Sequence, residues 1–107
     1  MDQRERSAAD EEDRFDRELQ LGHHVELVPV LLSAVEAEPL RERRWELLML
    51  AQYRCGAEND ALVTFRRLCA LLEESGRKPS WEIETLEHLI LLRSPTLRWT
   101  DPNAGAD

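Results

Sequence analysis

The chain has 107 residues, enough for one domain with a modest core and little room for a deep catalytic cleft. Hydrophobic residues make up 42% and charged residues 34%, the balance of a soluble globular fold. With 14 basic and 22 acidic residues the net charge is −8, which argues against binding phosphate backbones or anionic membranes by bulk charge.

Residues 1–9 are polar and without periodicity, so they are expected to be disordered. Residues 1–18 lack the apolar core of a signal peptide, and no apolar run reaches the ~18 residues of a membrane span. The cytoplasm is the expected location. A first helix is expected over residues 10–21, with Phe15 and Leu19 four apart on one stripe. Its acidic run at 10–13 reads as a solvated helix start. Gly22 stops it.

His23 and His24 open a second helix. Val25, Val28, Leu31, Leu32 and Val35 follow a helical rhythm and predict its buried face. Pro29 is read near the first turn, where a missing N–H matters least. Glu38-Pro39 ends the helix, because a residue before proline avoids the α region. The third helix, over 40–55, carries Trp45, Leu48 and Gln52 on one face and Leu47, Leu50, Ala51 and Arg54 on another. It is expected to be buried on most sides. Gly56 terminates it.

A fourth helix over 58–75 has Ala61, Phe65, Leu68 and Leu72 as its stripe, widened by Leu62 and Cys69. Residues 77–79 form an exposed connector. Ser80 is a good N-cap for the last helix, which carries Ile83, Leu86, Leu89, Ile90 and Arg93 up to Ser94-Pro95. Trp81 is expected to pack on the preceding hairpin. Trp99 is expected to cap the last helix or anchor a partner, in a tail (98–107) otherwise expected to be disordered. Cys55 and Cys69 fall on neighbouring antiparallel helices too far apart to bridge, so both are read as free, largely buried thiols.

No segment alternates with period two, so the class is all-α. The helix-ending glycines at 22 and 56 stand 34 residues apart, the tetratricopeptide period. In that register Trp45 is the large residue early in a repeat and Leu48 follows three later. Ala61 takes the small position where two helices cross, Phe65 the aromatic one, and Pro39 closes the preceding repeat. The predicted fold is a tetratricopeptide-like array of about five antiparallel helices, two hairpins plus a capping helix. Such an array builds a binding surface.

Residues 38–97 carry further text in common with one family: Glu38-Pro39-Leu40-Arg41-Glu42-Arg43, Trp45, Leu47-Leu48-Met49-Leu50-Ala51, Tyr53-Arg54, Ala61-Leu62, Phe65-Arg66-Arg67-Leu68, Pro79-Ser80, Leu86-Glu87 and Ile90. Leu21-Gly22-His23 and Leu27-Val28-Pro29 look like the hairpin before it. This pattern resembles the bacterial transcriptional activator domain of antibiotic-regulatory, SARP-type activators. The resemblance implies a tetratricopeptide-like module that serves dimer contacts and contacts with the transcription machinery. In the family it usually follows a winged-helix DNA-binding domain. These 107 residues hold no such domain, so the resemblance implies action through a DNA-binding regulator, RNA polymerase or a second copy, rather than direct binding of DNA. The acidic 10–18 segment is read as standing in place of the family's first helices.

Five arginines are the candidate partner-binding residues. Arg41, Arg43 and Arg44 start the third helix, and Arg66 and Arg67 lie on the fourth; together they are expected to line a concave face and grip an acidic partner. The alternative function is a general tetratricopeptide adaptor for acidic peptides or proteins. His23, His24 and His88 have no zinc-ligand spacing, and no nucleophile–base pair or phosphate loop appears. No enzyme activity, metal or cofactor is therefore expected.

Overall fold

The computed structural model describes residues 2–103. Five helices follow one another: α1 (Gln3–Gln20), α2 (His24–Ala37), α3 (Glu42–Arg54), α4 (Glu58–Glu74) and α5 (Trp81–Leu91). A short 3-10 turn, Pro95–Leu97, follows α5. No strand occurs among the described residues. The predicted all-α, tetratricopeptide-like array is the fold observed.

α3 is the central element. It packs on α1, α2, α4 and α5, most extensively on its chain neighbours α2 and α4. Its burial follows from composition: Trp45, Leu47, Leu48, Met49 and Ala51 are all in the core. Trp45 has a second task, because its indole Nε1 donates to the Pro39 carbonyl at 2.9 Å. That bond ties the start of α3 to the end of the preceding hairpin, which explains why this repeat pairs a proline with a tryptophan six residues on. Ala61 is fully buried, as the repeat register predicts, and Phe65 is partly buried against the same core. Thr64 beside them donates to Gln52 at 2.7 Å, so the buried polar pair between α3 and α4 is satisfied.

Several expectations are corrected. α1 begins at Gln3, with Asp2 accepting from the Arg4 and Glu5 amides, so residues 3–9 are helical. The buried face of α2 is Leu27, Leu31, Ala34 and Val35; Val25 is 67% exposed and Leu32 is also exposed. The predicted stripe was rotated because the helix is apolar nearly all round, which leaves periodicity little to discriminate. Pro29 lies in the second turn of α2, where the Val25 carbonyl forgoes a helical partner. Cys55 is exposed and Cys69 half-buried, so the free thiols are less enclosed than expected.

Gly22 and Gly56 end α1 and α3 in the same way. Both have positive φ, +87° and +81°. In each case the next residue's amide reaches the carbonyl five residues back, His23 to Glu18 and Ala57 to Gln52. This is the glycine-centred Schellman cap. It turns the chain sharply between the helices of successive repeats, so the 34-residue spacing is the spacing of one cap geometry.

Trp99 does not cap α5. Its Nε1 donates to the Gln20 carbonyl at the end of α1, 2.8 Å away, and its ring meets His24 edge-on. Arg54 donates from Nε to the Leu97 carbonyl at 3.0 Å. The stretch around Leu97 and Trp99 therefore folds back across the ends of α1 and α3. That part of the expected disordered tail is packed, while residues 104–107 lie outside the described residues.

A Cβ placed on Gly22 would lie 2.6 Å from Trp99 Cζ2. Gly22→Ala is therefore expected to lose roughly 2–3 kcal/mol in urea unfolding, from left-handed strain and the clash together. In a Trp99→Ala background the same substitution should lose only the strain, about 1–2 kcal/mol, which a double-mutant cycle measures directly.

Candidate interaction surface

The arginine-rich start of α3 faces α1, and the sequence puts an acidic segment there. Glu12 is only 2% exposed. Arg41 donates to it from Nε and, at 2.9 Å, from Nη2, while Arg44 donates from Nε at 2.9 Å. Arg44 is itself buried and spends its Nη1 on the Ala34 carbonyl of α2, 3.0 Å away. Arg41 also reaches Glu5 at 2.7 Å, and Arg43 meets Asp13 at 2.7 Å. One carboxylate thus joins α1 to α3, and through Arg44 to α2.

Burial pushes the Glu12 carboxyl up, but the hydrogen bonds and charges of Arg41 and Arg44 outweigh it and hold its pKa below the ordinary 4.5. Hydrogen bonds to Glu12 and then Glu5 push the Arg41 guanidinium up in turn. The acidic run at 10–13 is therefore not simply a solvated helix start. Its third residue is the most enclosed charge in α1.

The five arginines do not share one face. Arg41, Arg43 and Arg44 turn to α1, whereas Arg67 on α4 pairs with Glu36 of α2 at 3.1 Å and stacks 5.6 Å above the Trp45 ring. Arg66 is exposed on α4. Among the histidines, His23 pairs with Glu18 after α1, His24 packs on Trp99, and His88 is exposed on α5.

The surface built jointly by α1, α3 and α5 is a groove of about 500 Å³. Leu47 and Leu50 of α3, Leu86 and Leu89 of α5, and Leu97 give it an apolar floor. Asp16 of α1, Glu46 of α3 and Glu82 of α5 stand around that floor, with Arg43 as the cation on its wall. Trp81 borders the groove at 72% exposure, so it does not pack on the preceding hairpin as expected. Asp16, Glu46 and Glu82 make no ion pair among the described residues, and Arg43 already has Asp13.

Burial raises the pKa of Glu46 above 4.5, and the neighbouring charges of Glu82 and Asp16 add to the rise against the opposing pull of Arg43. Sequence reasoning fixed on the arginines and missed these carboxylates. The readable signal was Glu46 within an i, i+3, i+4, i+7 row of Arg43, Glu46, Leu47 and Leu50.

A family model described as the bacterial transcriptional activator domain matches residues 3–91. The match includes α1 from its first turn, so the acidic segment falls within the domain. The regulatory protein AfsR of Streptomyces griseus is 45% identical over 83 residues, covering 75% of this chain and 8% of that protein. The regulatory protein DnrI of Streptomyces peucetius is 33% identical over 96 residues, covering 89% of this chain and 35% of that protein. The transcriptional regulator RedD of Streptomyces coelicolor is 35% identical over 92 residues, covering 80% of this chain and 26% of that protein. The chain thus spans little more than a third of the length of these relatives, or less.

Glu12→Gln removes the charge between two arginines while keeping the side chain's shape. It is expected to lose roughly 3 kcal/mol of stability in urea at neutral pH. The folded pKa lies below the ordinary value, so the stabilisation is complete above pH 4.5 and is lost as pH falls through the folded pKa. The gap between the native chain and Glu12→Gln should therefore narrow progressively as acid unfolding is followed below pH 4.5.

Proposed function

This chain belongs to the bacterial transcriptional activator domain family, and from that premise we propose that it acts by gripping a DNA-binding regulator or RNA polymerase. Its role is transcription-regulatory and rests on protein interaction, not catalysis. What carries the proposal is the family match laid over an array whose inner helices leave an apolar groove open. A second copy is a further partner in this reading, and the cytoplasm is the compartment where the partners reside.

The charge distribution favours protein over DNA. The net charge is −8, and Arg41, Arg43 and Arg44 are already paired with α1 carboxylates. Phosphate contacts would have to break those pairs against repulsion by the surrounding acids. No helix among the described residues is long and apolar enough to cross a membrane.

The test is retention, on the immobilised chain, of purified Streptomyces RNA polymerase holoenzyme and of the winged-helix half of a SARP-type regulator. At least one should be retained at about 150 mM salt, with no shift of duplex DNA by the chain alone at that salt. DNA binding that persists there while both proteins pass through would overturn the proposal.

A further inference from the structure

We infer that the groove between α3 and α5 docks a basic amphipathic helix of the protein partner, its apolar stripe on the leucine floor and its arginine or lysine side chains against Asp16, Glu46 and Glu82. The inference rests on the reading of the chain as a protein-interaction domain and adds the chemistry of the partner.

The floor comes first. Leu47, Leu50, Leu86, Leu89 and Leu97 line a volume of about 500 Å³, within the range of clefts that hold ligands. α3 and α5 present the half-buried Leu50 and Leu89 side by side over the buried Leu47, Leu86 and Leu97, which suits the stripe of a third helix laid between them. Trp81 stands beside that floor with 72% of its surface in water. A large aromatic at the edge of an apolar groove is the residue type that anchors protein contacts, and its ring face also attracts a cation.

Charge then selects the occupant. Asp16, Glu46 and Glu82 come from three different helices and make no ion pair among the described residues. Arg43 is occupied by Asp13 at 2.7 Å. Glu46 is the telling group: burial and two like-charged neighbours disfavour its ionised form, and Arg43, already held by Asp13, opposes them only in part. An arginine or lysine delivered by a partner offsets that penalty, and covering the groove strengthens the pairwise attraction while adding desolvation that the pair has to outweigh.

An acidic helix would add charge of the same sign. Residues 104–107 contain no lysine or arginine and do not match the groove. A second copy of this chain carries the same charge of −8 and meets general repulsion.

The probe is a fluorescent peptide of about 16 residues with leucines at i, i+3, i+4 and i+7 and arginines elsewhere, compared by anisotropy with a glutamate counterpart at about 150 mM salt. The arginine peptide is expected to bind at least about tenfold more tightly, and Glu82→Lys and Trp81→Ala should each weaken it about tenfold. Both positions are exposed, so the variants should keep the fold, checked by circular dichroism. Glu74→Lys makes the same charge change at the exposed last residue of α4, which does not line the groove, and should alter affinity by no more than about twofold.

Equal losses in Glu82→Lys and Glu74→Lys would show attraction by bulk charge alone and overturn the inference. Equal binding of the glutamate peptide, or loss of peptide binding as the chain dimerises, would overturn it too. Retention of polymerase or regulator that Glu82→Lys leaves intact would overturn the groove as the docking site while leaving the interaction-domain reading in place. Failure of the unaltered chain to retain either protein would overturn that broader reading.

Discussion

The carboxylate of Glu12, held between Arg41 and Arg44, is the constraint on which the arrangement of α1 depends. α1 has eighteen residues but buries only Phe15 and Leu19 as apolar side chains. Those two contribute roughly 3–6 kcal/mol on burial, while fixing the backbone costs about 1–2 kcal/mol per residue before helical hydrogen bonds offset it. Apolar packing alone therefore leaves the helix weakly placed. Glu12 adds direction, because two guanidinium groups donate to its carboxylate in one register only. Arg44 passes the constraint on to the Ala34 carbonyl, so α1, α2 and α3 are fixed by a single polar cluster. Trp99 pins the other end of α1 through Gln20, so the helix is held at two points rather than along a broad seam.

This cluster also sets the sign of the surface beside it. α1 supplies Glu5, Glu12 and Asp13 to the α3 arginines and so consumes the positive charge at the start of that helix. Further along, Asp16 is left facing the groove with Glu46 and Glu82. Neutralisation at one end and unpaired acid at the other are consequences of one helix lying against another. A reading of α3 in isolation sees a basic patch; α3 with α1 in place presents an apolar groove with an acidic margin.

The fold was legible because its signals are local. Gly22 and Gly56 mark equivalent helix ends, and both adopt the positive φ that glycine permits. Ala61 must be small at a crossing, and Ser80 caps α5 through its hydroxyl, which accepts from the Ile83 amide. The site was less legible because its signals are long-range. Glu12 and Arg44 are 32 residues apart, and nothing near Glu12 in the chain distinguishes it from Glu11 or Asp13. Likewise Trp99 finds Gln20 across 79 residues, so a tail rich in turn-forming residues hid a packed tryptophan. In α2 the failure was of another kind: an almost wholly apolar helix offers several plausible stripes, and only the positions of α1 and α3 choose between them.

The placement of charge also bears on how such a module sits within a longer regulator. The relatives are roughly three to twelve times longer than the stretch they share with this chain. Burying Arg44 and pairing Arg41 with two carboxylates withholds both guanidinium groups from other anions within the domain itself. The same pairing leaves Asp16, Glu46 and Glu82 at the groove without a cation of their own from α1, the feature on which the proposed docking of a basic helix depends. If the groove docks a basic helix as proposed, stability and selectivity rest on one set of contacts, and loosening α1 weakens both together.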